Sequence, residues 1–236
     1  MANNTKKKDF KEDTDKDSKE DTDKVLLVEG VDDFHVVKNL CMAHKLPYIF
    51  GTYEYQGKEG VLKQLNSLIK CSEPPQIIGV MLDVDDDEKE NDSVSDKEYT
   101  LESRWQSVKD KLREHNYDFP VHPNINGTIV EAVEDKPKLG FWFMPNNQDC
   151  GMLEDFCAKL AEPLSLAFAQ ECVEQARSQN LTTFKDSYLS KAVIHTYLAW
   201  QKKPGSPLGQ SITSQALRSN NDIATKFTNW LNDLFI

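Results

Sequence analysis

Carboxylate side chains follow two apolar segments of the sequence, in the stretches VLLVEGVDD and GVMLDVD. In the first stretch Asp33 lies about one helical turn beyond Glu29, and in the second Asp83 and Asp85 are two residues apart, which places strand side chains on the same side. Converging carboxylates repel one another unless protons or cations neutralise them. Oxygen ligands without nearby His or Cys suit Mg²⁺ or Mn²⁺, so these residues predict a divalent-cation site.

The segments around these residues predict alternating strands and helices. VLLVEG reads as a buried strand, and residues 31–44 repeat apolar side chains at helical spacing. YIFGTYEY, EGVLKQLNSLIKC and QIIGVMLDVD then predict a strand, a helix and a third strand. This βαβαβ order favours a parallel sheet covered by helices. Binding sites of open α/β sheets collect at the carboxyl ends of the strands, where both acidic motifs fall.

The rest of the chain predicts an α/β fold with a helical C-terminal portion, on a largely parallel, Rossmannoid sheet flanked by helices. A helix is expected at LESRWQSVKDKLREHN, short strands at GTIVEAV and LGFWFMP, and helices through most of the remainder, with PGSPLG as a rigid turn. Residues 1–24 alternate Lys with Asp and Glu and predict a disordered tail. Residues 25–236 then form one domain, with an α/β core over 25–145 and a helical extension over 146–236.

Composition limits the possible functions. The 236 residues include 28 basic and 39 acidic side chains, for a net charge of −11, which argues against unaided binding to a nucleic-acid backbone. A polyanionic substrate would need metal ions or a basic partner. Five cysteines without CxxC spacing indicate reduced thiols, and no long apolar run is present. We therefore expect a soluble, cytoplasmic protein without a membrane segment.

Other interpretations of the acidic residues fit less well. An EF-hand loop counted from Asp83 would place Glu88 where Gly is needed and Val94 where Glu is needed. An aspartate-nucleophile phosphatase would want Thr or Val at Asp87. Asp86 to Asp96 reads as a solvated loop, and ordinary capping by Glu29 and Asp33 at a strand-to-helix turn stays open.

The pair VLLVEGVDD and GVMLDVD, in this order and about fifty residues apart, resembles the Toprim domain of topoisomerases, primases and the overcoming-lysogenization-defect (OLD) nucleases. LGFWFMPNN, GMLEDF and KAVIHTYLAWQKKPGSPLGQSI are similar to a Toprim-related group, the domain-of-unknown-function family 3226. The resemblance covers roughly residues 25 to 234 and implies a Toprim-like α/β fold.

The resemblance implies phosphodiester chemistry with two divalent ions, Mg²⁺ or Mn²⁺. Glu29 would be a metal ligand or general acid/base, Asp33 a supporting ligand, and Asp83 and Asp85 the metal-holding pair. By the same resemblance Glu154 would complete the metal site and Lys191 would stabilise the transition state. Purely structural interpretations of these last two residues are equally open: Glu154 in the first turn of its helix, and Lys191 on a solvated helix face.

The resulting hypothesis is a metal-dependent Toprim nuclease that hydrolyses DNA or RNA. The resemblance to the nuclease branch, together with the lack of a Walker motif, implies a separate ABC/OLD-type ATPase partner in a bacterial anti-phage defence system. Homo-oligomerisation is left open. A non-catalytic Toprim-like module that binds a partner protein is the main alternative, and a small-molecule phosphatase or nucleotidyl transferase is a third. A topoisomerase would need a nucleophilic tyrosine, which nothing in the sequence marks.

Overall fold

The computed structural model describes residues 23–55, 57–84 and 100–236. Most of the predicted tail and Asp85 lie outside these residues. The described strands are β1 (Lys24–Val28), β2 (Gly51–Glu54), β3 (Ile77–Leu82), β4 (Thr128–Val130) and β5 (Lys138–Phe143). They form a sheet of order β2-β1-β3-β5-β4, in which the β1–β2, β1–β3 and β3–β5 pairs are parallel and β4 pairs antiparallel with β5. The predicted α/β class with a largely parallel, Rossmann-like sheet is confirmed.

Helices account for most of the remaining described chain. They are α1 (Val31–His44), α2 (Gly57–Ile69), α3 (Leu101–Lys111), α4 (Leu153–Leu160), α5 (Pro163–Ser178), α6 (Leu189–Ala199), α7 (Leu208–Thr213) and α8 (Asp222–Phe235). Within the described residues, no helix has the length and apolar character needed to cross a bilayer.

Each face of the sheet has its own apolar core, because side chains alternate along a strand. Leu26 and Val28 of β1 pack in a core with residues of α1, α4, α6, α7 and α8. Val25 and Leu27 of the same strand pack in the other core, with residues of α2 and α3. The strands are buried on both sides, which explains why VLLV is continuously apolar.

Helix α8 lies directly on the sheet, so the C-terminal helices share the core of the strands. Gly79 of β3 and Gly140 of β5 are paired in register, and a Cβ atom on Gly140 would collide with the Leu234 side chain. The Lys24 Nζ atom also donates a hydrogen bond of 2.7 Å to the Phe235 carbonyl. The first strand and the last helix are therefore joined.

Helix α7 lies partly inside the segment that the sequence predicts as a rigid turn. It packs against α1, and a Cβ atom on Gly209 would stand 2.7 Å from the His35 carbonyl oxygen. The prediction of a turn was wrong from Leu208 onward, because one and a half turns of helix are too short for a readable apolar period. Glycine at position 209 is what allows the backbone of α7 to lie this close to α1.

Candidate functional site

The end of β1 turns directly into α1 and carries two of the predicted acidic residues. Asp33 is only 7% exposed, and its Oδ2 atom accepts a hydrogen bond of 2.9 Å from the Gly30 backbone N–H. This is the reciprocal half of a capping box, in which a side chain at the third helical position bonds back to the residue before the helix. The bond holds the Asp33 carboxyl group beneath the turn, beside Glu29.

Glu29 joins the ends of two neighbouring parallel strands. Its Oε1 atom accepts a hydrogen bond of 2.8 Å from the backbone N–H of Asp83, which follows β3. β1 and β3 are adjacent and parallel, so their carboxyl ends lie at one edge of the sheet. The two acidic motifs therefore meet at this edge of the sheet, although Glu29 and Asp83 are 54 positions apart in the chain.

An ion pair from the C-terminal half of the chain, with a buried carboxylate and a half-exposed lysine, lies close enough to interact electrostatically with this edge. Glu154, in the first turn of α4, is 4% exposed and accepts a hydrogen bond of 2.8 Å from Lys191 Nζ at the start of α6. Burial alone would lower the pKa of Lys191, but Glu154 and the charges of Asp83 and Asp32 outweigh it and raise the pKa. The Lys191 side chain is 45% exposed, so this ammonium group remains accessible and charged.

The carboxylates oppose one another's ionisation. Burial, then the charge of Glu29, raises the pKa of Asp33 to about 8, although the hydrogen bond from Gly30 acts the other way. The charges of Glu154 and Asp32 contribute to the same rise. Without a compensating cation, Asp33 therefore keeps its proton at neutral pH. The same cluster acts on Cys157, whose pKa is raised by burial and then by the charge of Glu154.

An isolated β-bridge fixes the start of α4 relative to the end of β3. Val84 and Gly151 exchange two backbone hydrogen bonds, with N···O distances of 2.8 and 2.9 Å. Asp155 then caps α4, because its Oδ2 atom accepts a hydrogen bond of 2.8 Å from the Met152 backbone N–H. The Asp155 Oδ1 atom accepts a second hydrogen bond, of 2.6 Å, from the Ser190 hydroxyl group.

The structure thus brings together five of the six predicted site residues, and the sixth, Asp85, lies outside the described residues. These five are Glu29, Asp33, Asp83, Glu154 and Lys191. Oxygen donors for a hard cation come from the first four. In the described parts of the chain, no three His, Cys, Asp or Glu side chains are arranged closely enough to hold a metal ion.

Sequence reasoning missed three residues that belong to this region. Asp32 is part of the EGVDD stretch and acts electrostatically on Asp33 and Lys191, but it was not predicted as a site residue. Asp155 follows Glu154, and the sequence marked it only as an acidic residue in the first turn of a predicted helix. Ser190 had no signal beyond its place next to Lys191, because its partner lies 35 residues away in the chain.

The fold and this site define a Rossmann-like α/β protein with an acidic cluster and one lysine at the carboxyl edge of parallel strands. The chain belongs to the family described as "Protein of unknown function (DUF3226)", whose model matches residues 23–236. Neither the curated proteins nor the solved structures include a significant match to it.

Proposed function

We propose that the protein is a divalent-metal-dependent nuclease of the Toprim kind that hydrolyses phosphodiester bonds of DNA or RNA. The observation that carries the proposal is the meeting of Glu29 and Asp83 at one edge of the sheet, with the Glu154–Lys191 pair beside them. Parallel strands place binding groups at this edge. A buried acidic cluster next to a half-exposed ammonium group suits a substrate that carries both negative charge and bound cations.

The chemistry of the donor set fits Mg²⁺ or Mn²⁺, because these groups are all carboxylates. Burial, and then the charges of Glu29 and other neighbouring carboxylates, raise the pKa of Asp33, and a bound cation would favour its ionised form. Glu29, Asp33 and Asp83 are not arranged as a three-ligand site in the described structure. In the proposal they would close together around the metal, with Asp85 by resemblance, and Glu154 would complete the site for a second ion. Bound divalent ions would supply an activated water molecule and would neutralise developing negative charge.

The protein's own groups have separate tasks in this proposal. Lys191 stays protonated because Glu154 holds its ammonium group, and its exposed part can contact a phosphate oxygen and stabilise charge in the transition state. Glu29 fixes the ends of β1 and β3 through the Asp83 N–H, which keeps the carboxylates in place. Asp33 would give up its proton to serve as a ligand if a cation were bound.

The net charge of −11 supports a division of labour between two proteins. An acidic chain approaches nucleic acid slowly by itself, so a partner that supplies basic surface would promote binding. By resemblance to the OLD nucleases we assign this part to an ABC-type ATPase, in a bacterial anti-phage defence system of the cytoplasm.

The experiment incubates the purified protein, alone and with the product of a neighbouring ATPase gene, with supercoiled plasmid, tRNA and single-stranded DNA. Each reaction contains EDTA, Mg²⁺ or Mn²⁺. The variant Asp83→Asn keeps the backbone N–H group that donates a hydrogen bond to Glu29. It therefore tests the role of the Asp83 carboxylate and leaves this structural contact intact. Asp118→Asn, at an exposed position, is the matched control.

Metal-dependent cleavage that survives in Asp118→Asn and is lost in Asp83→Asn would support the proposal. Cleavage that persists in Asp83→Asn, or no cleavage and no cation binding under any condition, would overturn it. Phosphorylated metabolites in a parallel panel distinguish a small-molecule phosphatase.

One observation favours the alternative of a partner-binding module without catalysis. Leu164, Phe168 and Trp200 are large apolar residues that are exposed, and the rings of Phe168 and Trp200 lie 5.5 Å apart. Exposed apolar groups that cluster often mark protein interaction sites. Under this alternative, Phe168→Ser would abolish partner binding while Asp83→Asn would leave it unchanged.

A further inference from the structure

A second pair of side chains runs alongside the Glu154–Lys191 ion pair. Asp155 follows Glu154 in α4, and Ser190 precedes Lys191 in α6. The Ser190 hydroxyl group donates a hydrogen bond of 2.6 Å to Asp155 Oδ1. Two neighbouring contacts therefore join the first turns of α4 and α6. One contact is a flexible ion pair and the other is a short hydrogen bond from a short side chain.

The short contact restrains the helix more than the ion pair does. A lysine reaches its partner through four methylene groups, so it can follow Glu154 over a range of helix positions. Serine has a single rotatable bond before its oxygen, so the Ser190–Asp155 bond exists only when the two first turns are in register. The Ser190–Asp155 bond therefore limits how far the start of α6, which carries Lys191, can shift relative to α4.

Asp155 is itself held from two sides. Its Oδ2 atom caps the Met152 N–H at 2.8 Å, which leaves Oδ1 for Ser190. A Cβ atom on Gly151 would stand 2.6 Å from Asp155 Oδ2, and Gly151 has a φ of +150°, a conformation that favours glycine. Glycine at this position therefore leaves room for the carboxylate.

Gly151 connects this arrangement to the acidic edge. It exchanges two backbone hydrogen bonds with Val84, the residue after Asp83. The chain of contacts thus runs from the end of β3 through Gly151 and Asp155 to Ser190. A change at Asp155 or Ser190 would move Lys191 relative to Asp83 without touching either residue.

We propose that Asp155 and Ser190 are positioning residues, which hold α6 so that Lys191 meets Glu154 and faces the Asp83 edge. The catalytic consequence rests on the proposed nuclease function, whereas the placement of Lys191 does not. A merely structural cap of α4 would need Oδ2 of Asp155 alone. The use of the second oxygen by Ser190 is the observation that points to α6 and Lys191.

The test measures how fast each lysine is acylated by acetic anhydride at fixed pH, by peptide mass spectrometry of the full chain. Lys159, which contacts Asp149 at 3.2 Å, is the internal reference. Ser190→Ala removes the hydroxyl group and keeps the cap. Ser107→Ala, which removes a helix serine hydroxyl group on α3, is the matched control.

We expect Ser190→Ala to raise Lys191 acylation about threefold or more relative to Lys159, because the ammonium group spends less time on Glu154. Ser190→Thr should restore the wild-type value, and Asp155→Asn should come close to it, because an amide oxygen can still cap Met152 while its NH₂ group bonds Ser190. In a cleavage assay with Mn²⁺, Ser190→Ala should lower kcat about tenfold with little change in KM, as expected for a group that orients a catalytic one.

Unchanged Lys191 acylation in a folded Ser190→Ala variant, checked by circular dichroism, would overturn the placement. If Ser190→Ala does not fold, Ser190→Cys, which leaves the Asp155 cap intact and replaces the hydroxyl group with a weak thiol donor, decides it in the same way. Faster acylation with unchanged kcat would overturn the catalytic part. If the wild type cleaves nothing, the proposed nuclease function fails while the acylation result still decides whether Ser190 positions Lys191.

Discussion

The face of the sheet beneath α8 and the carboxyl edge of β1 and β3 bury opposite kinds of groups. Beneath α8, Leu234 and Phe235 pack against Gly79 and Gly140, and apolar burial stabilises the fold. At the edge, Asp33 and Glu154 are buried, and burial together with the neighbouring carboxylates raises the pKa of Asp33. The first region stabilises the molecule, and the second holds unfavourable charge that binding can relieve.

Leu234→Ala should give the largest change, a loss of about 2–5 kcal/mol in the free energy of unfolding. The substitution leaves a cavity between α8 and the two sheet glycines, and cavities of this kind cost both transfer energy and contacts. Urea unfolding followed by circular dichroism measures it. A loss below that of an exposed substitution such as Glu131→Gln would show that α8 is not packed on the sheet as described.

Gly140→Ala should cost about 1–3 kcal/mol, because its methyl group needs the space of the Leu234 side chain. The double variant with Leu234→Ala should cost less than the sum of the two single changes, since the cavity accommodates the methyl group. Additive losses in this double-mutant cycle would contradict a direct contact between residues 140 and 234.

Asp33→Asn should act in the opposite direction and stabilise the metal-free protein by about 1–3 kcal/mol at pH 8. In the unfolded chain Asp33 loses its proton near pH 4, whereas in the folded chain it keeps the proton to about pH 8. The unfolded state binds fewer protons between these values, so the contribution of this group to stability falls as pH rises through that window.

Urea unfolding of wild type and Asp33→Asn at pH 4 to 9 measures this effect. The advantage of Asn should be small at pH 4 and grow toward pH 8. Asp118→Asn, at an exposed position, controls for the loss of a carboxylate in general. An advantage that is constant across this range would show that Asp33 ionises normally in the folded protein.

Binding of Mn²⁺ should give the smallest effect, about 1.4 kcal/mol of stabilisation when its concentration is ten times its Kd. The apparent affinity should be higher at pH 8 than at pH 6, because the cation competes with the proton on Asp33. Calorimetry and thermal unfolding at both pH values measure this. Equal effects in Asp83→Asn and the wild type would place the cation away from the acidic edge.

Much of the N-terminal half could be predicted from local sequence. The apolar period of residues 31–44 predicted a helix that the structure places at Val31–His44. The expected strand in YIFGTYEY is shorter, Gly51–Glu54, since strand boundaries depend on which residues find a pairing partner. The meeting of Glu29 and Asp83 followed from the parallel order of β1 and β3, because parallel neighbours end at the same edge.

The sequence by itself determined the order of strands and helices apart from α7, and the identity of the acidic residues at the strand ends. Repetition of apolar side chains is a local signal that a short window of residues contains. Only the tertiary structure decided that Lys191 meets Glu154, that Ser190 bonds Asp155, and that α8 lies on two glycines. These contacts join residues 35 to about 155 positions apart, and packing in three dimensions, which no local pattern records, selects them.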